Sequence, residues 1–202
     1  IFATSFGYGD GVLAAAERYP DVGFGWATRI ERAPNVMTYI ADFYQVYYLN
    51  GLIAGALTES NQIGYVAAFP IPEVKRHINA FALGALAVNP EATVEVVWLN
   101  AWFDPAGAKE ATEALIAKGA DVFAFTEDTP TVIQTAAERG YQVRYTLAAR
   151  LVNELIEAAD DEQLTKTINR YGRVDLLLYC CSTSWDTWNR QTRRRAADSG
   201  VD

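Results

Sequence analysis

Histidine and cysteine are scarce in this chain of 202 residues, and their scarcity excludes several kinds of active site. His77 is the only histidine, so a cluster of histidines cannot hold a metal ion. A Ser-His-Asp triad would depend on this one ring, which the pattern places on a helix face. Cys180 and Cys181 are adjacent, a spacing that does not suit a metal site and would strain a disulfide between them. We therefore predict no cofactor and no metal.

Long hydrophobic runs are also absent, because no apolar segment approaches the ~20 residues that span a bilayer. The sequence opens at Ile1 in an apolar segment, without a Met or the basic region of a signal peptide. We expect that the chain starts inside a larger coding unit or has been trimmed.

The net charge of −8 disfavours nucleic acid as a partner, since an acidic surface repels phosphates. The basic cluster Arg193–Arg195 is interpreted as a solvated end.

Short apolar segments alternate with longer helical stretches, which is typical of an α/β fold with a parallel sheet. Strands are predicted to begin at Ile1, Val22, Ile63, Val94, Val122, Val143 and Val174. Apolar residues at helical spacing predict one long helix over Val36–Leu57. Further helices are predicted after Pro72, Pro105 and Pro130, and over Leu147–Ala159 and Glu162–Tyr171.

Such sheets bind ligands at the carboxyl ends of their strands, so the residues that follow each strand are the candidates for a site. The loop Ser5–Gly11 contains three glycines, which allow a tight turn and a close approach of the backbone to a ligand. It has neither the Lys nor the Ser/Thr of a phosphate-binding loop, so nucleotide binding is not indicated. A plain glycine-rich turn is the alternative interpretation.

Aromatic and carboxylate side chains follow several consecutive strands. Aromatic walls with a few polar groups suit a flat, hydroxylated small molecule, and a carboxylate can accept hydrogen bonds from sugar hydroxyls. Asp104 and Asp128 also stand where a helix N-cap is expected. These residues do not form a nucleophile–base pair, and we predict a binding protein, not an enzyme. The predicted ligand-binding residues are Phe6 and Trp102 for stacking, Asp128 for hydroxyl groups, and Tyr8, Phe69, Asn100 and Phe103 as further lining.

Residues 1–140 contain runs that resemble, in order and without large gaps, the basic membrane protein family of PnrA-like substrate-binding proteins of ABC transporters. The runs are Ser5–Gly11, Ala33–Val36, Asn61–Val74, Asn79–Phe81, Val88–Pro90, Asn100–Pro105 and Lys118–Val122. The resemblance implies a type I periplasmic-binding fold, in which two α/β lobes joined by hinge crossings close on a ligand. It further implies capture of a purine nucleoside or related compound, delivery to a membrane permease, and a monomer in the periplasm or held at the cell surface as a lipoprotein. The family's first lobe begins before Ile1, so the fold is expected to be truncated at its N-terminus.

A second resemblance concerns residues 141–178, where Gly140–Ala148, Leu151–Ala158 and Tyr171–Leu177 are similar to IstB-like transposition helper ATPases. The ATPase would need a glycine-rich phosphate loop and an Asp-Glu pair after the last strand, which instead ends in Leu178–Cys181. We therefore predict a binding-protein region over residues 1–140, an ATPase-like fragment over 141–178 and an aberrant, unassigned tail over 179–202. An inert chimeric fragment and an ATPase helper of transposition are the alternative functions.

Overall fold

The computed structural model describes residues 1–4, 6–27, 31–141 and 143–147, the single residues Glu157, Gln163 and Lys166, and residues 176–180. The chain divides into two compact units, Ile1–Phe43 (unit 1) and Tyr44–Asp202 (unit 2).

Unit 1 is a parallel sheet with a helix on one face. Its elements are β1 (Phe2–Ala3), a 3-10 turn (Phe6–Tyr8), α1 (Gly9–Arg18), β2 (Phe24–Ala27) and β3 (Val36–Tyr39). The three strands lie in the order β1-β2-β3, and all neighbours pair in parallel. Side chains of α1 pack with those of β2 and β3 to form the core, where Val12, Ala16, Phe24, Trp26 and Val36 are buried together.

The prediction of one helix over Val36–Leu57 is wrong in its first part. Residues Val36–Tyr39 form β3, which pairs with β2, and the helix begins only at Tyr44. Val, Thr and Tyr fit a pleated strand well, and the buried Val36 is followed by the exposed Met37. The apolar spacing that indicated a helix belongs to the residues after Tyr44, so the pattern was extended too far toward the N-terminus.

Unit 2 is built around a second parallel sheet. Its elements are α2 (Tyr44–Leu57), β4 (Gln62–Ala67), α3 (Pro72–Val88), β5 (Thr93–Trp98), α4 (Pro105–Ala117), β6 (Val122–Phe125), α5 (Thr131–Glu138), β7 (Val143–Leu147) and β8 (Leu176–Cys180). The strand order is β5-β4-β6, with helices α2 and α3 on one face of the sheet and α4 and α5 on the other. Ile63, Tyr65 and Ala67 of β4 face the α2/α3 layer, whereas Val66 faces the α4/α5 layer, as the alternation of a strand requires.

Helices α2 and α3 pack so closely that glycine is required at their contact. A Cβ atom on Gly51 would collide with the carbonyl oxygen of Phe81, and one on Gly84 would collide with that of Tyr48. His77 lies on the inner side of α3, where its ring stacks on Tyr47 with centroids 4.3 Å apart. His77 lies on a helix, as the sequence predicted, and the structure shows that its side chain is buried.

The predicted parallel α/β arrangement is confirmed. Strands β7 and β8 form a parallel pair close to the positions predicted from Val143 and Val174. The helices predicted over Leu147–Ala159 and Glu162–Tyr171 fall almost entirely outside the described residues, as does the tail after Cys180. The domain boundary at residues 140 and 141 and the separate nature of residues 141–178 remain predictions.

Candidate functional site

The segments that follow β4, β5 and β6 are joined to one another by main-chain hydrogen bonds. Asn100 N–H donates to Ala68 O (2.8 Å), and Thr126 N–H donates to Val66 O (3.0 Å). Beyond these, Asp128 N–H donates to Trp102 O (2.7 Å). The carboxyl edge of the sheet therefore holds its three loops side by side, in the position where a parallel sheet binds ligands.

Two of the predicted aromatic residues lie together at this edge. The rings of Phe69, after β4, and Trp102, after β5, have centroids 5.5 Å apart and planes inclined at 55°. Both side chains are half-buried, and Trp102 packs against the core cluster of the α2/α3 layer. The sequence prediction thus placed two large aromatic faces correctly at neighbouring strand ends, although their role in binding stays a prediction.

Asn100 and Phe103 flank Trp102 and are both exposed. Asn100 has a φ of 54°, a left-handed conformation that Asn tolerates better than most residues. Phe103 exposes 71% of its surface, an unusually high fraction for a large aromatic side chain. Both residues lie in the segment after β5, at the same edge as Trp102.

The two aspartates at this edge have different roles. Asp104 caps α4, because its Oδ1 accepts a hydrogen bond from Gly107 N–H (3.0 Å), so the capping interpretation is correct for this residue. Asp128 is exposed and does not cap α5, whose N-cap position is Pro130. Partial burial raises the pKa of the Asp128 carboxyl. Its side chain is thus available to accept hydrogen bonds from a ligand.

Glu127 is a polar residue of this edge that the sequence analysis did not select. It is only 6% exposed, and its Oε2 accepts a hydrogen bond from Thr129 N–H (2.7 Å). Its Oε1 is buried and has no hydrogen-bond partner among the described residues. Burial raises the pKa of Glu127 to about 7, helped by the carboxylates of Asp128 and Asp104 and opposed by the hydrogen bonds from Thr129. The sequence carries one hint, a glutamate placed just after a buried strand.

Phe6 and Tyr8 belong to unit 1. They lie in the 3-10 turn after β1, and Tyr8 is 62% exposed at the N-cap position of α1. Both thus occupy the strand-end loop that the sequence indicated. Their participation in ligand binding stays a prediction.

Within the described part of the chain, His, Cys, Asp and Glu side chains do not gather in groups of three or more that could hold a metal ion. Nor does any described helix combine the length and apolar character needed to cross a membrane.

Comparison with known families identifies the kind of protein to which this fold belongs. The family model described as "ABC transporter substrate-binding protein PnrA-like" (Bmp) matches residues 1–175. The chain belongs to this family. The PnrA-like match continues through most of the segment for which an ATPase resemblance was suggested, and nothing in the comparisons supports that second resemblance.

Individual relatives agree with the PnrA-like assignment. A Haloferax volcanii protein named as an ABC transporter glucose-binding protein is 53% identical over 140 residues, which are 69% of this chain and 36% of the relative. A purine-binding protein of Brucella abortus is 40% identical over 172 residues, which are 85% of this chain and 48% of the relative. The chain thus spans between about a third and a half of the length of these two curated relatives.

Solved structures of ABC transporter solute-binding proteins share this fold. An ABC transporter solute-binding protein from Aeropyrum pernix superposes with a TM-score of 0.58 at 23% identity, covering 73% of this chain and 46% of the other. The predicted fold class, parallel sheets flanked by helices as in periplasmic binding proteins, is therefore confirmed.

Proposed function

We propose that this chain is the ligand-capturing part of an ABC transporter component, and that it binds a purine nucleoside or a related compound for uptake. It acts by binding and release without catalysis, and it passes its ligand to a membrane permease. A periplasmic or cell-surface location, a lipoprotein anchor and a monomeric state follow from the family resemblance and belong to the same proposal.

The observation that carries the proposal is the Phe69–Trp102 pair at the carboxyl edge of the unit 2 sheet. Stacking of a base on an aromatic side chain contributes about 1–3 kcal/mol in nucleic-acid complexes, which makes Trp102 the main expected contact. The exposed carboxylate of Asp128 follows β6, the other neighbour of β4, and is suited to accept hydrogen bonds from ribose hydroxyls. The purine-binding name of the Brucella relative points to the same ligand class.

The glucose-binding name of the Haloferax relative gives a second candidate, a free sugar. A sugar also packs its C–H face on an aromatic ring and offers hydroxyl groups to a carboxylate. Titration calorimetry of the full chain with adenosine, inosine and glucose separates the two. Binding of glucose without binding of either nucleoside would overturn the nucleoside assignment in favour of the sugar.

The variant Trp102→Ala tests the site itself. Loss of the stacking face should weaken nucleoside binding by about 5- to 150-fold, the equivalent of 1–3 kcal/mol. Leu83→Ala is the matched control, because Leu83 is a 62%-exposed apolar residue on α3 of the same unit. Thermal unfolding of both variants and of the unsubstituted chain establishes that each is folded. An unchanged affinity in Trp102→Ala would remove this residue from the site.

A further inference from the structure

Glu127 is fixed within the same set of loops as Trp102. The residue before it, Thr126, donates its N–H to Val66 O (3.0 Å), and the residue after it, Asp128, donates its N–H to Trp102 O (2.7 Å). The Glu127 backbone is therefore held on both sides at the carboxyl edge of β6.

The two oxygens of the Glu127 carboxyl have different surroundings. Oε2 accepts the Thr129 N–H (2.7 Å), whereas Oε1 is buried without a hydrogen-bond partner among the described residues. An unsatisfied buried polar atom costs about 1–3 kcal/mol, so such an atom at a binding site is a candidate for satisfaction by the ligand.

Burial is the main cause of the raised pKa of Glu127, and the neighbouring charges act in the same direction. The titratable groups that act on it are Asp128, its neighbour in the loop, and Asp104, at the N-terminus of α4. Both are carboxylates, so an ionised Glu127 would be buried among charges of its own sign. Because Oε2 already accepts an N–H, the proton of the neutral form belongs on Oε1.

We propose that Glu127 sets the hydrogen-bonding specificity of this site by donating the Oε1 proton to an acceptor atom of the ligand. The ligand class that suits this donor is a heteroaromatic compound with an unprotonated ring nitrogen, such as a purine. This inference rests on the proposed function, which supplies the stacked base. It adds a hydrogen-bond donor to an edge where the Asp104 carboxyl already accepts the Gly107 N–H.

Calorimetric titration of adenosine into the full chain between pH 6 and pH 8 tests this role, since adenosine keeps its charge over that range. With a Glu127 pKa of about 7, the fraction of chains that carry the proton falls across this range. The apparent Kd should therefore rise about tenfold from pH 6 to pH 8.

Glu127→Gln should remove this pH dependence and keep tight binding at both pH values. Its amide oxygen can still accept the Thr129 N–H, and its NH₂ group donates at every pH. Glu110→Gln is the matched control, because Glu110 is exposed on α4, and it should retain the tenfold change. Thermal unfolding of each variant establishes that it is folded.

Two results would overturn the role of Glu127 while leaving the proposed function intact. One is adenosine binding by the unsubstituted chain with a Kd that does not change with pH. The other is a pH dependence of adenosine binding that persists in Glu127→Gln. In that case the pH dependence would belong to Asp104 or Asp128. Absence of adenosine binding at every pH would instead overturn the proposed function, and the role of Glu127 with it.

Discussion

At the scale of single residues, Asn35 shows how one side chain can fix a loop. Its Nδ2 group donates to Ala16 O (3.1 Å) and Tyr19 O (3.1 Å) at the end of α1, and to Val22 O (2.9 Å) before β2. Asn35 immediately precedes β3. One amide thus links the helix to the segments that lead into both neighbouring strands.

We expect Asn35→Ala to lower the free energy of unfolding of unit 1 by about 1–2 kcal/mol, because carbonyl groups lose their donor. Urea denaturation followed by tryptophan fluorescence measures the change, since Trp26 is buried in unit 1. Asn79→Ala is the control, because Asn79 is exposed on α3, and its effect should stay within about 0.5 kcal/mol. Equal effects of the two substitutions would contradict a special role for Asn35.

Residue-level prediction from the sequence succeeded where the end of a strand decides the position of a residue. Phe69 and Trp102 could be expected at neighbouring strand ends because parallel strands end at the same edge of a sheet. Glu127 could not be selected, because its burial and the isolation of its Oε1 depend on loop packing.

At the scale of elements, the contact of α2 with α3 depends on backbone atoms that approach each other through glycine. We expect Gly84→Ala to destabilise unit 2 by about 1–3 kcal/mol, since the added methyl group would force the helices apart at the Tyr48 carbonyl. This loss should appear although alanine is the better helix former by about 1 kcal/mol.

Gly11→Ala is the control for this substitution. Gly11 lies in α1, and a Cβ there would meet no atom within 4 Å. Helix propensity alone then applies, and we expect unit 1 to gain up to about 1 kcal/mol. Denaturation curves of both variants check the expectation, and stabilisation by Gly84→Ala would show that the helices are not held by this contact.

Most elements could be predicted from the sequence, because Pro72 and Pro105 begin their helices and buried strands alternate with them. The change from strand to helix within Val36–Leu57 could not be predicted. Its apolar residues satisfy a helical pattern in one half and a strand in the other, and pairing with β2 decides where the change occurs. Pairing between distant segments is a tertiary effect that spacing along the chain does not reveal.

At the scale of the whole molecule, two buried groups give opposite dependences of stability on pH. Burial, with a smaller effect of Arg76, lowers the pKa of His77 from 6.5 to about 4, so its contribution is complete above pH 6.5 and is lost as the pH falls toward 4. Burial raises the pKa of Glu127 from 4.5 to about 7, so its contribution is complete below pH 4.5 and is lost as the pH rises toward 7. Between pH 4.5 and 6.5 the two changes oppose each other.

We therefore expect a nearly flat stability profile for the unsubstituted chain in this window. In Glu127→Gln, the free energy of unfolding should fall with decreasing pH, with a slope of at most about 1.4 kcal/mol per pH unit. Urea denaturation at pH 4.5, 5.5 and 6.5 measures the profile. Adding His77→Phe to Glu127→Gln should flatten it again, and a slope that persists would assign the effect to other groups.

Main-chain hydrogen bonds join the segments at the carboxyl edge, through the bonds of Asn100, Thr126 and Asp128 to Ala68, Val66 and Trp102. Peptide hydrogen bonds are the same whatever side chain a residue carries. The backbone geometry of this edge therefore depends little on which side chains its residues carry. Side chains at positions 69, 103 and 128 can therefore be exchanged in combination while these bonds are kept, whereas the left-handed φ of Asn100 favours keeping Asn at that position. If the proposed binding site is correct, this edge is the place to design a new ligand specificity.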